Sequence, residues 1–516
     1  MPHVLGLDSS TQSLSAVILD TDQGSIVAED SVNFGKDLPQ YGQPNGYAEG
    51  GVRGEIHANP MMWVEALDLL LGRMKEAGVD FGSVVAVSGS GQQHGSVYLR
   101  PCFDEKLGSL DPEKSLVEQI EGCLTRKSSP IWMDSSTSAE CAEIAEAVGG
   151  NDVVCAKSGS ITVERFTGSQ IRKFSKTDPE AYADTDVIHL VSSYFASILA
   201  GKNVAIDLGD GAGMNLMNLA AGDWDQVLVE ATAEGLAGKL PRVAPSWEIS
   251  GSSSSYFVNK YGFSEGCKTV VWSGDNPCSL IGMGAASPGK VVISLGTSDT
   301  LFAAMPEPKT DPNGFGHVFG NPAGGYMSLI CFKNGSLARE AIKDQFKLEW
   351  SAFEKEGLSK TPIGNDGLLM LPFYEPEITP RIDTGGPVYS VEGELSAEQS
   401  VRAVLEGQFL NMRNNFGWLG VSPTRISLTG GASANDGIAQ VVANVFGVPV
   451  DRLDVPGSAT IGAAMRAGHA IGIDLDDLES KFSQAKEGST IEPEEGAHEI
   501  YEQMLPRFTQ FLSNQK

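Results

Sequence analysis

The chain has 516 residues, and its 66 acidic and 37 basic residues give a formal net charge of −29. This surplus of negative charge argues against general binding to nucleic acid or to an anionic membrane, because both partners require local positive charge. An anionic substrate such as a nucleotide would then be held by a metal ion and by backbone dipoles. Hydrophobic residues make up 41% of the chain and charged residues 20%, which is typical of a globular protein with an ample core.

The N-terminus and the cysteines predict a cytoplasmic protein. The chain opens without the basic segment of a secretory signal, and no apolar stretch approaches the roughly 20 residues that cross a bilayer. Its seven cysteines are scattered, with neither a CxxC motif nor a Cys/His cluster. Cysteines of this kind fit a reducing compartment and indicate no zinc site.

The first predicted elements are two strands joined by a turn rich in hydroxyl groups. An apolar strand begins at His3, and a second strand returns over residues 14–19. Between them lie Asp8 and the hydroxyl-bearing Ser10 and Thr11. A carboxylate in this turn could hold Mg²⁺, directly or through water.

An amphipathic helix and a further strand complete a βαβ unit. Residues 59–78 carry apolar side chains at helical spacing, with Asn59 suited to the N-cap and a glycine suited to the end. The next strand, over residues 84–88, leads into a glycine-flanked turn that contains Gln93 and His94. Amides and an imidazole among glycines favour hydrogen bonds to a polyhydroxylated ligand, although a lone histidine is as often a satisfied structural residue.

The stretch that follows carries weaker signals. Residues 101–129 are polar and turn-rich, which predicts a surface insertion. The sequence Thr137-Ser-Ala-Glu140 is typical of a capping box, and it opens a predicted helix toward Val148. Beyond that helix, Arg165 could bind a ligand hydroxyl or form a surface ion pair, and periodicity favours neither.

The centre of the chain, residues 268–304, joins two short apolar strands through a run of small residues. The first strand breaks at Gly274 and places Asp275 and Asn276 at a strand end, where open α/β sheets bind ligands. The second strand ends in Gly296-Thr297-Ser298, whose backbone N–H groups and hydroxyls suit a phosphate. Each turn alone is ordinary turn chemistry. Together, a carboxylate and a phosphate cradle make a minimal phosphoryl-transfer unit.

The strands around Gly296 repeat the opening hairpin. This match suggests a duplicated fold with a cleft between the copies, one in residues 1–283 and the other in residues 284–516.

The second half also contains a glycine turn before a helix. Ser396-Ala-Glu-Gln399 is a second capping box, and a strand over residues 425–428 leads into Gly430-Gly431. Such a turn permits close backbone approach and favours negative charge. It lacks the GxGxxG pattern of a dinucleotide fold. A Gly- and Ala-rich helix over residues 457–470 is expected to close the second domain.

Taken in order, these motifs resemble the FGGY family of carbohydrate kinases over nearly the whole chain. The resemblance implies an α/β fold of two actin-like (ribonuclease H-like) domains with an interdomain cleft, the first binding sugar and the second nucleotide. It also implies transfer of phosphate from ATP, with Mg²⁺, to D-xylulose, giving D-xylulose 5-phosphate, as in the family members of eukaryotic type. The resemblance rests on Asp8-Ser9-Ser10-Thr11, Gln92-Gln93-His94-Gly95, Trp132-Met133-Asp134, Glu164-Arg165-Phe166-Thr167-Gly168, Gly213-Met214-Asn215-Leu216, Gly274-Asp275-Asn276-Pro277, Gly296-Thr297-Ser298, Lys333-Asn334-Gly335 and Thr429-Gly430-Gly431-Ala432-Ser433.

The same resemblance implies roles for individual residues. Asp275 would be the catalytic general base, and Asp8 would organise Mg²⁺. The ketose would be held by Gln93, His94, Arg165, Asp275 and Asn276. ATP and its phosphates would be held by Asp8, Ser10, Thr11, Gly296, Thr297, Trp350, Gly430, Gly431 and Asn435.

Two other interpretations stay open on the sequence. A kinase for ribulose or for a polyol such as glycerol would share the fold, because substrate choice depends on few contacts. A conformational ATPase of the actin or chaperone type would also use paired hairpins, but the Gly-Asp-Asn and Gln-Gln-His turns favour a kinase. The expected partners are a small ketose and ATP, without nucleic acid or membrane, in a monomer or a homodimer.

Overall fold

The computed structural model describes residues 2–354, 358–453, 455 and 457–515. Two compact units divide the chain. The first comprises Met1–Gly284, Val318–Tyr326 and Pro456–Ser483, and the second comprises Ala285–His317, Met327–Val455 and Gln484–Lys516. Among the described residues, no helix is both long and apolar enough to span a bilayer.

The first unit is built on a mixed sheet. The predicted opening hairpin is present as antiparallel strands His3–Ser9 and Ser13–Asp20, and the first of these runs parallel to Val84–Gly91. The strand predicted to end at residue 88 continues to Gly91 because its last residues pair with strands on both sides. The order across the sheet is Ile249–Ser252, Lys268–Val270, Val84–Gly91, His3–Ser9, Ser13–Asp20 and Ser25–Asn33, with Ser273–Gly274 also paired to Val84–Gly91.

The predicted amphipathic helix is Pro60–Glu76, and it packs on strands Ser13–Asp20 and Ser25–Asn33. Asn59 caps it by accepting a hydrogen bond from Met61 N. Trp63 and Leu67 on its apolar face are fully buried. The buried face stabilises the helix through the hydrophobic effect, which is the dominant favourable contribution to folding.

Residues 101–129 are not a surface insertion, so that prediction is wrong. They form helices Cys102–Leu107 and Leu116–Ile120, whose apolar side chains belong to the core of the first unit. Phe103 and Ile120 are fully buried. Helices of 6 and 5 residues complete fewer than two turns, so they show no periodicity that a sequence pattern can detect.

The Gly- and Ala-rich helix Ser458–Ala470 belongs to the first unit, whereas the sequence placed it in the second domain. It packs against the opening strand and against helix Asp275–Gly282. The approach is so close that a Cβ on Gly282 would overlap the carbonyl oxygen of Ser458. Small residues therefore allow this helix to support the one that carries the predicted catalytic base.

The second unit contains a second mixed sheet. Its strand Lys290–Leu295 is antiparallel to Asp299–Met305 and parallel to Arg425–Thr429. The opening hairpin has the same arrangement in the first unit, so the repeated hairpin predicted from the sequence is confirmed. The order within the second unit is Tyr326–Phe332, Asp299–Met305, Lys290–Leu295, Arg425–Thr429 and Val450–Arg452.

One of the two predicted capping boxes is present. Ser396 and Gln399 cap the helix Ala397–Asn414 reciprocally. The capping box predicted at Thr137 is wrong, although the helix Ser138–Val148 forms as expected. The Thr137 hydroxyl donates instead to the carbonyl oxygen of Glu164.

The remaining helices and strands complete both units. The other α-helices are Phe34–Asp37, Asn151–Ser158, Thr167–Thr177, Pro179–Asp184, Val191–Ala200, Leu208–Gly211, Gln226–Thr232, Ser255–Tyr261, Ser336–Phe346, Asp436–Phe446, Leu475–Phe482 and Ala497–Ser513. The other strands are His57–Ala58, Ser96–Leu99, Ser129–Pro130, Val187–Leu190, Ile206–Asp207, Met217–Asn218, Asp223–Trp224, Val243–Ala244, His317–Gly320, Met370–Leu371, Glu377–Ile378, Arg381–Ile382 and Val388–Tyr389.

Candidate active site

Three strand ends of the first sheet bring Asp8 and Asp275 to one edge. On the central strand, Ser90 lies opposite Asp8 on one side and opposite Ser273 on the other, and both pairings are parallel. After Ser273 the chain turns into a helix whose first residue is Asp275. Both carboxylates therefore lie at the carboxyl edge of a parallel part of the sheet, where α/β proteins bind ligands.

Both carboxylates lie in a weakly solvated environment. Burial raises the pKa of Asp275 to about 6, although backbone N–H groups of Asn276 and Gln93 oppose the shift. Burial also raises the pKa of Asp8 to about 7, opposed by the neighbouring Ser90 hydroxyl and reinforced by the charge of Asp275. A carboxylate with a pKa just below neutral pH is ionised and still basic, which suits a general base.

Gln93, His94 and Asn276 surround Asp275 with polar groups. Asn276 Nδ2 donates to Gln93 Oε1 at 2.7 Å and to Asp275 Oδ1 at 3.1 Å. His94 Nδ1 lies 2.9 Å from the carbonyl oxygen of Gly213. A carbonyl can only accept, so Nδ1 carries the proton and the acceptor of the neutral ring is Nε2. The structure brings these predicted sugar ligands together.

Arg165, Ser10 and Thr11 are already engaged within the protein. The Arg165 guanidinium lies over the ring of Phe166, 5.7 Å from its centroid. Ser10 Oγ donates at 3.0 Å to a backbone carbonyl within its own turn. Thr11 Oγ1 accepts from Trp132 Nε1 at 2.8 Å. The roles of these three residues toward sugar and phosphate stay predictions.

In the second unit, the turn at Gly296 and Thr297 is braced by a buried ion pair. Asp299 accepts from Gly296 N at 3.1 Å, and the Arg339 guanidinium donates to its two oxygens at 3.0 and 3.1 Å. Ser336 N, at the start of an α-helix, donates to Gly296 O at 2.8 Å. The turn is therefore held beside a helix N-terminus, which favours negative charge.

A cavity of about 520 Å³ adjoins this turn within the second unit. That volume lies in the range of about 300–1,000 Å³ that is usual for small-molecule sites. Trp350 is 42% exposed, and its carbonyl oxygen accepts from Asn435 Nδ2 at 3.4 Å. The predicted nucleotide residues that line the cavity are Gly296, Thr297, Trp350, Gly431 and Asn435.

The two glycines of the nucleotide turn differ in the space around them. Gly430 has a φ of 86°, and a Cβ there would meet Leu295 O at 2.5 Å. A Cβ on Gly431 would meet nothing within 4 Å. Gly430 is therefore required by the backbone, whereas Gly431 leaves open the space beside the cavity. Asn435 caps the following helix through Ile438 N at 3.0 Å.

Two acidic residues that the sequence reasoning missed lie next to the predicted sugar ligands. Asp207 and Asp210 are each 1% exposed. Asp210 N donates to Asp207 Oδ1 at 2.8 Å, and Gly213 of the same segment accepts from His94. A sequence signal existed, because these carboxylates precede the Gly213 motif directly. Read locally, however, Asp-Leu-Gly-Asp is only a polar turn.

Comparison with known proteins identifies the family. Residues 124–282 match the N-terminal domain of the FGGY family of carbohydrate kinases, and residues 291–471 match its C-terminal domain. The chain belongs to this family. This chain is 45% identical over 486 residues to xylulose kinase 2 of Arabidopsis thaliana, and the match covers 90% of this chain and 86% of the plant protein.

Two further likenesses support the assignment of family and fold. This chain is 42% identical over 519 residues to the xylulose kinase of Mus musculus, and the match covers 98% of this chain and 93% of the mouse protein. The crystal structure of xylulose kinase from Rhodospirillum rubrum matches with a TM-score of 0.82 at 19% identity, covering 99% of this chain and 98% of that one. The predicted family and the α/β fold class are confirmed, whereas the roles of individual residues stay predictions.

Proposed function

We propose that this FGGY kinase transfers the γ-phosphate of ATP to the terminal O5 hydroxyl of D-xylulose, giving D-xylulose 5-phosphate. The observation that carries the proposal is Asp275, a carboxylate with a pKa of about 6 at a helix start, hydrogen-bonded to Asn276 beside Gln93. Xylulose kinases that are 42% and 45% identical over most of this chain support the choice of ketose.

Asp275 takes the proton of the attacking hydroxyl in this mechanism. Its Oδ1 already accepts from Asn276 N at 2.9 Å and from Asn276 Nδ2 at 3.1 Å, so we assign Oδ2 to the sugar hydroxyl. General-base catalysis of this kind contributes about 10²–10⁴ in rate. The rest of the acceleration comes from positioning and charge neutralisation, which dominate phosphoryl transfer.

The sugar is held by the polar groups around Asp275. His94 Nε2 is an acceptor because Nδ1 donates to Gly213 O, so it can receive a ketose hydroxyl. Gln93 Oε1 accepts a hydrogen bond from Asn276 Nδ2, and this bond fixes the orientation of the amide. The Gln93 Nε2 group can then donate to another acceptor. Arg165 would contribute a further donor.

Asp8 is suited to hold Mg²⁺. Its Oδ1 is buried without a hydrogen-bond partner among the described residues, which fits a carboxylate oxygen that binds a cation. No group of three or more His, Cys, Asp or Glu side chains suited to a metal occurs in the described part of the chain. Asp8 would therefore share the ion with water and with ATP phosphates, as is usual for Mg²⁺. When bound, the ion would neutralise charge on the transferred phosphate.

The second unit supplies the nucleotide site in this proposal. The braced turn at Gly296 and Thr297 offers backbone N–H groups to the phosphates. The adjoining cavity of about 520 Å³ would take the adenosine, with Trp350 and Asn435 on its wall. Gly431 permits the backbone to approach the nucleotide closely.

We expect Gly431→Val to raise the KM for ATP by about tenfold or more, with the KM for D-xylulose within about twofold of wild type. The reason is that the valine side chain would enter the cavity without disturbing the fold, since the space around Gly431 is open. Steady-state kinetics measure both values. Gly417→Val is the matched control, because Gly417 is equally open and does not line the cavity. Equal increases in both KM values would contradict a nucleotide role for this turn.

A coupled assay of ADP release tests the proposed reaction. The panel contains D-xylulose, D-ribulose, L-ribulose and glycerol at several concentrations each. We expect the highest kcat/KM for D-xylulose. A higher value for glycerol or for a ribulose would contradict the substrate, and the absence of sugar-dependent ADP release would contradict the kinase reaction itself.

A further inference from the structure

The segment from Asp207 to Gly213 packs against the proposed sugar site at three points. Gly213 O accepts the proton of His94 Nδ1 at 2.9 Å. A Cβ on Gly209 would lie 2.5 Å from Ser273 Oγ, two residues before Asp275, so only a glycine allows this approach. A Cβ on Gly213 would lie 3.5 Å from Gln93 Nε2, and Asp210 is near enough to the same side chain to affect it electrostatically. The segment is therefore fitted to this site by its backbone as well as by its side chains.

Asp210 is a buried acid, and only one of its carboxyl oxygens has a hydrogen-bond partner among the described residues. Its Oδ2 is hydrogen-bonded to Ser192 Oγ, whereas its Oδ1 is buried without a hydrogen-bond partner among the described residues. Gln93 Nε2 is likewise buried and unpartnered within the described chain. Gln93 Oε1 is fixed by Asn276 Nδ2 at 2.7 Å, so the amide must present Nε2 elsewhere. An acid oxygen and an amide nitrogen, each lacking a partner, thus belong to neighbouring side chains.

We propose that Asp210 is a positioning residue for the sugar site. It holds the amide of Gln93, and Gln93 in turn holds Asn276 against the catalytic Asp275. The inference rests on the sugar site proposed above. It adds a residue that acts through Gln93 and has no contact of its own with the reacting atoms.

The surroundings favour the uncharged acid. Burial raises the pKa of Asp210 well above its usual value, and the charges of Asp207 and Asp275 raise it further, against the hydrogen bond with Ser192 and the nearby amide of Gln93. In the neutral acid, Oδ2 carries the proton and donates to Ser192 Oγ, which leaves Oδ1 as the acceptor for Gln93 Nε2. An asparagine offers the same donor and acceptor in the same shape. An asparagine at this position should therefore replace the aspartate, whereas a residue without a carbonyl should not.

The test compares four variants by KM for D-xylulose, KM for ATP and Tm. Asp210→Ala should raise the KM for D-xylulose about tenfold with little change in the KM for ATP, because a hydrogen bond that orders the site is lost. Asp210→Asn should keep the KM for D-xylulose within about threefold of wild type. Asp210→Ser, which is too short to reach Gln93, should behave like Asp210→Ala and replaces it if the alanine variant does not fold. Asp225→Ala is the matched control, a buried helix-capping aspartate outside the site. It should lower Tm without changing the KM for D-xylulose.

A double-mutant cycle with Gln93→Ala decides whether Asp210 acts through Gln93. The variant that combines Gln93→Ala with Asp210→Ala should show no higher KM for D-xylulose than Gln93→Ala alone, because coupled residues are not additive. The proposal would be overturned if the double variant raised the KM for D-xylulose by the product of the two single effects. It would also be overturned if Asp210→Asn were as impaired as Asp210→Ala, or if Asp210→Ala lowered Tm and left the KM for D-xylulose unchanged. An unchanged KM for D-xylulose in Gln93→Ala alone would instead contradict the sugar site on which the proposal rests.

Discussion

Asp275→Asn is expected to lower kcat by about 10²–10⁴-fold, because an amide keeps the shape of the side chain but accepts no proton. The KM for D-xylulose should change far less, since Asn276 and Gln93 still form the same hydrogen bond at the site. The Tm should not fall, because the substitution removes a buried charge. The coupled assay and a thermal melt of the purified variant measure these quantities.

The wild-type pH profile gives an independent check on Asp275. The base must be ionised to work, and burial places its pKa at about 6. The kcat/KM for D-xylulose should therefore fall as the pH drops through about 6 and level off above it. Asp225→Asn is the matched control for the substitution and should keep wild-type kcat. A well-folded Asp275→Asn enzyme with near wild-type kcat would contradict the assignment. So would a wild-type kcat/KM for D-xylulose that does not change between about pH 5 and 8.

Asp8→Asn is expected to lower kcat by about 10²–10³-fold, because the carboxylate that would hold Mg²⁺ at the transferring phosphate is lost. The same change should raise Tm at alkaline pH. The pKa of Asp8 is raised from its ordinary value of 3.8 to about 7, so the folded state binds this proton more tightly than the unfolded state does. Wild-type stability is therefore lost as pH rises from about 4 through 7, and the asparagine variant escapes that loss.

Melts at acid and alkaline pH, without nucleotide or Mg²⁺, measure this effect. The Tm difference between Asp8→Asn and wild type should be larger at alkaline pH than at acid pH. Calorimetry should show that the Mg²⁺ dependence of ATP affinity is lost while ketose affinity is kept. An unchanged Mg²⁺ dependence would contradict the role of Asp8 as the residue that organises the ion.

The sequence predicted the parts of the fold that rest on local chemistry. Hydroxyl-rich turns between apolar strands marked both hairpins, and Asn59 marked the start of the first long helix. The break after Gly274 placed Asp275 at a strand end, and the structure has it there as the first residue of a helix. Each of these features depends on only a few consecutive residues.

The features that the sequence did not predict depend on distant partners. The helices between residues 101 and 129 are too short for a periodic signal, and tertiary contacts bury them. The helix Ser458–Ala470 packs against a sheet whose strands lie hundreds of residues earlier in the chain. Asp210 and Arg339 acquire Gln93 and Asp299 as neighbours only in the folded chain. No local pattern encodes such pairings.

Whether Asp275 takes the proton of the sugar hydroxyl is decided by ATP hydrolysis in the presence of 5-deoxy-D-xylulose. Binding of this compound is first verified as competitive inhibition against D-xylulose. Without the terminal hydroxyl, a water molecule can occupy its place beside Asp275 and lose a proton to the carboxylate. We predict that saturating 5-deoxy-D-xylulose stimulates ADP release by the wild-type enzyme and has no such effect on Asp275→Asn. Equal stimulation of both enzymes, or none in a wild type that binds the analogue, would contradict Asp275 as the general base.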